Sequence, residues 1–376
     1  MFRNVHKIAI SVGLSLLINQ GLAPAEELVV AKVDTQIAGS AATISRGEVL
    51  PVEKSRADAI WTSAVETGWV PKADVLPLEE GLLHFLAQLE ANPKDDVAYT
   101  ALGNIMLAKG AEDDAIKNYD QAIALNPGNW RAHSKRAIAR ARQGERDAAL
   151  ADADQGVVLS AGDPYALAAR GIVKCLLQQT EGAIGDFTAA IAKNPKYARA
   201  FLFRGRIRER ADDRAGALGD YSRAIALDPN DRDALHRRAN LQARLHSCDE
   251  AIADYQKALQ LDEDNAALHD CLAWTLLRCP EPENRDAQKA LDHAKRANEL
   301  TGYSNLLYLE SLVKAYEQLG DAKNALEWRM KLLKLKIAHN AGTGKAPRPP
   351  RKADDEAAAG PPVEPPEFRV FRYNFR

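Results

Sequence analysis

Four arginines, Arg136, Arg170, Arg204 and Arg238, recur at intervals of 34 residues, and Asp152, Asp186, Asp220 and Asp254 each follow sixteen residues later. A guanidinium is permanently charged and donates in a planar fork that one carboxylate accepts at both oxygens. The chemistry of such a set is ion pairing, because arginine gives up no proton near neutral pH. Where the arginine is replaced, the aspartate is replaced too: Leu102 goes with Asn118, Leu272 with His293 and Leu312 with Trp328. This joint gain and loss within one chain predicts that the two residues touch, forming a structural ladder.

A second basic set shares these segments: Arg131, Lys135 and Arg142; Arg199, Arg206 and Arg210; Arg237 and Arg244. Gathered on one face, they would make a basic groove suited to an acidic peptide or a protein C-terminus. Glu209, Asp212, Asp213 and Asp233 lie among them, so a solvated face of mixed charge is the competing reading. Catalytic patterns are absent. The eight histidines form no HExxH pair, the four cysteines form no CxxC pair, and no GxxxxGK[ST] loop occurs. Gly156 and Gly162 read as helix-end glycines. His133, His236 and His269 read as packing or surface residues. No enzymatic site, metal or cofactor is expected.

The elements that must position these residues follow from a strict repeat. A small residue precedes an alanine by twelve positions in Gly103/Ala115, Ala137/Ala149, Gly171/Ala183, Gly205/Ala217 and Ala239/Ala251. Pro93, Pro127, Pro195 and Pro229 keep the same beat, with Ala161 and Glu263 where proline is skipped. A period of 34 residues is one helix–turn–helix unit, stacked on its neighbours. Gly or Ala lets the two helices approach, an aromatic fills the gap to the next unit, and proline ends the second helix. Units begin near Asp96, Trp130, Pro164, Ala198, Arg232 and Ala266, and a last one near Asn305. The sixth carries five extra residues around Cys279-Pro280-Glu281-Pro282, and residues 79–91 read as a lone second helix.

With Tyr99, Leu102-Gly103, Ala115, Tyr119, Ala122 and Pro127 in one unit, and Phe201, Gly205, Ala217, Tyr221, Ala224 and Pro229 in another, residues 96–335 resemble the tetratricopeptide repeat family. The segment LAWTLLRCPEPENRDAQKALDHAKRANELTGYSN is similar to the last repeats of a group of exported bacterial proteins, in which the repeats follow a small Src-homology-3-like module. The resemblance implies a mainly α fold. We expect a right-handed α-solenoid of six to seven repeats over residues 78–340, with first helices on the inner face. It implies no enzymatic activity. Some members of the family grip a terminal carboxylate with a Lys–Asn–Asn–Lys–Arg set. Here Asn104 is suitably placed, but Thr100, Tyr165, Leu202 and Cys271 break the set, so that clamp is not expected.

Flanking segments differ. Arg3 and Lys7, the apolar run 8–18 and Ala23-Pro24-Ala25 read as a signal peptide over residues 1–25, with a membrane anchor as the alternative. Residues 26–77 read as a small all-β barrel, in which GWVPKADVLPL resembles the closing strand of a Src-homology-3-like fold. Residues 341–376 are rich in Pro, Ala, Gly and charge and read as disordered. Their aromatic/Arg end, Phe368 to Arg376, suits a sheet edge or an acidic surface. The net charge of −2 speaks against a nucleic-acid partner. Cys175 and Cys271 are expected to pack as small hydrophobes. Cys248 and Cys279 fall near neighbouring turns, where a bridge is possible but disfavoured, because such turns should lie farther apart than the ~6 Å between Cα atoms that a disulfide tolerates.

Taken together, the sequence points to an exported, periplasmic or extracellular, non-catalytic scaffold that holds a peptide or protein in its groove. The alternative is binding to envelope material such as peptidoglycan through the β module, with Trp61 and Trp69 as candidate contacts, unless they form the module's core, and the repeats as a spacer.

Overall fold

This computed structural model describes residues 28–38, 43–52, 54–55, 57–62, 68–280 and 285–343. The expected signal peptide and the tail from residue 344 onward lie outside the described residues.

The N-terminal strands are short. β1 (Leu28–Ala31) pairs antiparallel with β4 (Val49–Pro51) and β8 (Val75–Pro77). β2 (Thr35–Gln36) pairs with β3 (Thr43–Ile44), and β6 (Ala59–Thr62) lies between β5 (Lys54–Ser55) and β7 (Gly68–Pro71). The expected barrel is thus seen as three small sheets around one core that includes Ile37, Ile44, Leu50, Ile60 and Val70. Alternation along β1 sends Val29 and Ala31 into that core and Val30 to the other face, where it meets Phe85 and Ile105 of the helices. The module buries apolar surface against its neighbour, which a unit this small requires.

After α1 (Leu78–Ala91) come seven helical hairpins. They are α2 (Asp96–Ala108) with α3 (Glu112–Leu125), α4 (Trp130–Gln143) with α5 (Arg146–Leu159), and α6 (Pro164–Leu176) with α7 (Thr180–Lys193). Then follow α8 (Ala198–Arg210) with α9 (Arg214–Leu227), α10 (Arg232–Arg244) with α11 (Cys248–Leu261), α12 (Ala266–Arg278) with α13 (Ala287–Leu300), and α14 (Leu306–Gln318) with α15 (Ala322–Thr343). α15 runs three residues into the segment read as the start of the tail.

Local chemistry explains this regularity. Asp95, Asn129, Asp163, Asp231, Asn265 and Asn305 cap six of the seven first helices, each side chain accepting from a backbone N–H of the first turn. Gly103 lets α2 and α3 close up: a Cβ there would lie 2.4 Å from the Tyr119 ring. Tyr119, Phe187, Tyr221 and Tyr255, at one repeat position, are fully buried between hairpins.

The turn within each hairpin needs a left-handed residue, and Gly110, Gly144, Gln178, Asp212 and His246 supply it at φ values from 62° to 83°. In the sixth hairpin this position is Pro280, whose ring fixes φ near −65°. The turn is therefore rebuilt, and α12 ends at Arg278 with Cys279 extended at φ −51°, ψ 131°. Cys279 lies 6.1 Å (Cα to Cα) from Cys248 at the start of α11, and the two form a disulfide. The sequence-based expectation that these turns stand too far apart is corrected here: it assumed regular turn geometry, which Pro280 does not allow.

Candidate partner-binding surface

The ladder knits the hairpins together. In the α4–α5 hairpin, Arg136 donates from Nε to Asp152 Oδ2 at 2.7 Å and from Nη2 to Oδ1 at 2.5 Å. Arg170 holds Asp186 at 3.0 and 2.6 Å, Arg204 holds Asp220 at 2.9 and 2.7 Å, and Arg238 holds Asp254 at 2.7 and 2.8 Å. The remaining Nη1 of each arginine reaches back to the second helix of the preceding hairpin. Its acceptors are Asp120 at 2.6 Å, Asp154 at 2.9 Å, Thr188 at 3.0 Å and Ser222 at 3.1 Å. One residue thus closes its own hairpin and staples it to the last. A further cation one turn on, Arg140, Lys174 or Arg208, also meets the aspartate in the first three rungs. In the fourth rung Gln242 stands there instead.

First helices adjoin one another along one flank, α2 meeting α4, α4 meeting α6, α10 meeting α12 and α12 meeting α14. The second basic set occupies four repeat positions on these helices. Arg131 and Arg199 share one, Lys135 and Arg237 a second, Arg142, Arg210 and Arg244 a third, and Arg206 the fourth. Arg131 and Arg210 are exposed, and Lys135, Arg199, Arg237 and Arg244 are half-buried. Arg206 is only 6% exposed and the Arg142 side chain only 8%. Both therefore lie largely inside the array, which helical periodicity alone did not reveal.

Acids of the chain itself meet several of them. Arg237 Nε donates to Asp233 at 2.9 Å, and Arg206 lies 3.9 Å from the same carboxylate. Arg244 pairs with Glu209, which also accepts from the Tyr221 hydroxyl at 2.6 Å, and Arg142 lies 3.7 Å from Glu112. Burial, reinforced by Arg237, pushes the Arg206 guanidinium down to about 10. Burial pulls Asp233 upward, but Arg237 and Arg206 outweigh it and hold the carboxyl below its usual range. Aromatic rings pack between the charges: Arg199 and Arg206 stand 5.8 and 5.9 Å from the centre of the buried Phe203 ring, and Tyr165 packs edge-on against the buried Tyr197.

Its N-terminal end is already covered. The loop between β3 and β4 lies across α2, with Gly47 at φ +85°, where a Cβ would come within 2.3 Å of Ala101 Cβ. Asn104 Nδ2 donates to the Gly47 carbonyl at 2.9 Å and to Glu48 Oε2 at 3.3 Å, while its own Oδ1 accepts from Tyr119. Lys135 Nζ stands 3.3 Å from Glu48 Oε1. Beside this, Arg46 grips Asp95 through Nη2 at 2.9 and 3.0 Å. Asn104 occupies the same repeat position as Arg206. Sequence reasoning singled out Asn104 but missed its ligand, because a contact across 57 residues leaves no local signal.

Known repeats match along this array. Residues 103–144 match a TPR repeat family model, and residues 177–232 and 233–265 match tetratricopeptide repeat models. The array is built of tetratricopeptide repeats. Among solved structures, the APC/C hetero-tetramer Cut9-Hcn1 superposes with a TM-score of 0.52 at 16% identity, over 63% of this chain and 46% of that one. This tetratricopeptide repeat chain thus spans less than half the length of that relative. The C-terminal part of a TPR repeat-containing protein from Cytophaga hutchinsonii gives 0.51 at 14% identity, over 62% of this chain and 93% of that one. At such identities the likeness is one of fold. No curated protein matches the chain. Tetratricopeptide repeats imply protein partners. Among the described residues, no helix is long and apolar enough to cross a membrane.

Proposed function

We propose that this protein is a non-catalytic scaffold of the cell envelope that binds an acidic peptide segment of a partner along the first-helix flank. The observation that carries the reading is Glu48. A turn of the chain itself already lies on this flank, the Gly47 carbonyl held by Asn104 and the Glu48 carboxylate facing Asn104 and Lys135. Farther along, the half-buried Arg199 beside Phe203, the exposed Arg210 and the half-buried Arg237 repeat the cationic chemistry. Outside the ladder, α4 carries Arg131, Lys135 and Arg142 with no acid, α8 carries Arg199, Arg206 and Arg210 against Glu209, and α10 carries Arg232, Arg237 and Arg244 against Asp233, so cations outnumber acids on three of these first helices. The Cys248–Cys279 disulfide supports placement in an oxidising compartment outside the cytosol.

Fluorescence anisotropy of a labelled glutamate-rich peptide and its lysine counterpart tests this, with the full chain and with Arg199→Glu/Arg210→Glu. We expect binding of the acidic peptide, falling about tenfold or more in the variant, since reversed charge at a contact costs well over 1 kcal/mol. Equal binding of both peptides, or an unaffected variant, would defeat the assignment.

The β module supplies a second reading. Register places Trp61 opposite Trp69 on neighbouring strands. A module of this kind would bind envelope polymer, with the repeats as a spacer. Sedimentation of the full chain with purified cell wall, lost in Trp61→Ala/Trp69→Ala, would favour it.

A further inference from the structure

The array ends on a surface that the repeats themselves do not account for. Leu326, Met330, Leu333 and Ile337 on α15 are 59%, 51%, 57% and 60% exposed. Their spacing of four, three and four residues makes one stripe along three helical turns, roughly 16 Å long. The opposite side of α15 is also apolar. Ala325 and Leu332 are buried there and Trp328 and Leu335 pack against the core. The helix is therefore anchored by one face and presents a second.

In each earlier hairpin, the next first helix lies against the second helix. The repeat position of Leu326 is filled there by Ile116, Leu150, Ile184, Leu218, Ile252 and Leu291, all half-buried or buried. Position for position, Leu326 and Leu333 are the seat of a next helix that the chain does not supply among its described residues. Solenoids need a polar outer face at their ends to stay soluble, whereas among the described residues this end exposes an apolar stripe. A further hairpin of the same kind does not fit either. The position of Tyr119, Phe187, Tyr221 and Tyr255 is taken in α15 by Arg329, which is 64% exposed and pairs with Glu317.

Charge identifies what fits. α15 carries Lys323, Arg329, Lys331, Lys334 and Lys336 against Glu327 alone. On the helical wheel Lys323 and Lys334 flank the stripe on one side, and Arg329 and Lys336, paired with Glu317 and Glu310 of α14, on the other. A second copy of the same face would oppose cation to cation. The Phe368–Arg376 end of the chain brings Arg369, Arg372 and Arg376 and is disfavoured for the same reason. We propose that this face of α15 docks one amphipathic α-helix of another protein, with apolar residues at matching spacing and acidic residues along the edge that meets Lys323 and Lys334. This surface is separate from the first-helix flank and does not depend on it.

The test uses the full chain and a labelled synthetic helix with leucines at the 4-3-4 spacing and glutamates at the flanks, read by anisotropy. An isomer with lysines at the flanks serves as control. The glutamate helix should bind about tenfold or more tighter than the lysine isomer. Leu326→Ser/Leu333→Ser should abolish that difference, and Arg199→Glu/Arg210→Glu should leave it unchanged. Both leucines are exposed, so melting should be unaltered. If the serine variant nonetheless unfolds, Lys323→Glu/Lys334→Glu should invert the preference between the two helices. Equal binding of the isomers, or binding unaffected by either α15 variant, overturns the proposal. So does sedimentation showing a dimer that the serine variant dissolves, which assigns the face to a second copy. Binding that emerges only after removal of residues 344–376 assigns it to the tail. Adsorption to phosphatidylglycerol vesicles without binding of the glutamate helix assigns it to a lipid surface. Each of these three results also overturns it.

Discussion

Replacing Arg238 by leucine should cost more stability than replacing Arg204. Both arginines hold a buried aspartate by two short bonds. Asp220, however, also receives Arg208 Nη1 at 2.9 Å, so a cation remains when Arg204 is lost. Asp254 has Gln242 at that place, and its side chain is only 9% exposed. Arg238→Leu therefore leaves a largely desolvated carboxylate without a cation, a change that costs about 3–5 kcal/mol. Arg204→Leu removes bonds while leaving the charge compensated, and should cost about 2 kcal/mol. Urea unfolding of the full chain followed by far-ultraviolet circular dichroism measures both, and hydrogen exchange locates the loss in the α10–α11 and α8–α9 hairpins. The double variant Arg238→Leu/Asp254→Leu should recover most of the loss, because the uncompensated charge is gone. Equal costs for the two single variants, or strict additivity in the double, would refute the idea that burial of unpaired charge sets the magnitude. Costs below about 0.5 kcal/mol for both would place the whole ladder in solvent.

Three further outcomes are expected. Reducing Cys248–Cys279 opens a link across 31 residues and should lower stability by about 3–4 kcal/mol, read as the shift in urea midpoint between reduced and oxidised chain. Asp270 is buried, donated to by Ser311 at 2.5 Å, with Glu310 nearby. Burial outweighs the Ser311 bond and lifts its pKa from 3.8 to about 7. A raised acid pKa means the folded state binds the proton more tightly, so stability falls as pH rises from about 4 to about 7 and the full penalty applies above that. Asp270→Asn should stabilise the protein by about 2–4 kcal/mol at pH 8 and by little at pH 4, as pH-dependent melting would show. Gly81→Ala would ordinarily stabilise a helix by about 1 kcal/mol, but a Cβ there would lie 2.0 Å from Val30 Cγ1. The melting temperature should therefore fall, by a cost of about 1–3 kcal/mol.

Much of the array was legible because one signal recurs many times. Helix starts at Asp96, Trp130, Pro164, Ala198, Arg232 and Ala266 follow from a 34-residue beat that proline and small residues mark independently. The rungs could be read because arginine and aspartate come and go together. What escaped was whatever depends on a single event. Pro280 rebuilds one turn and brings Cys279 to Cys248, a local exception that a repeat average hides. Periodicity put Arg142 and Arg206 on the right helices but could not say that Glu112, Asp233 and Phe203 enclose them. The loop carrying Gly47 and Glu48 reaches Asn104 through tertiary packing alone.

The central claim is that the first-helix flank meets the partner. Photo-crosslinking in the native host tests it most directly, with the reactive group placed at Arg199 or Arg210 on first helices, and at Gln155 or Gln256 on exposed second-helix positions. The account predicts one partner captured from residues 199 and 210 and not from 155 or 256. Capture of that partner from the second helices, with none from the first, would contradict it.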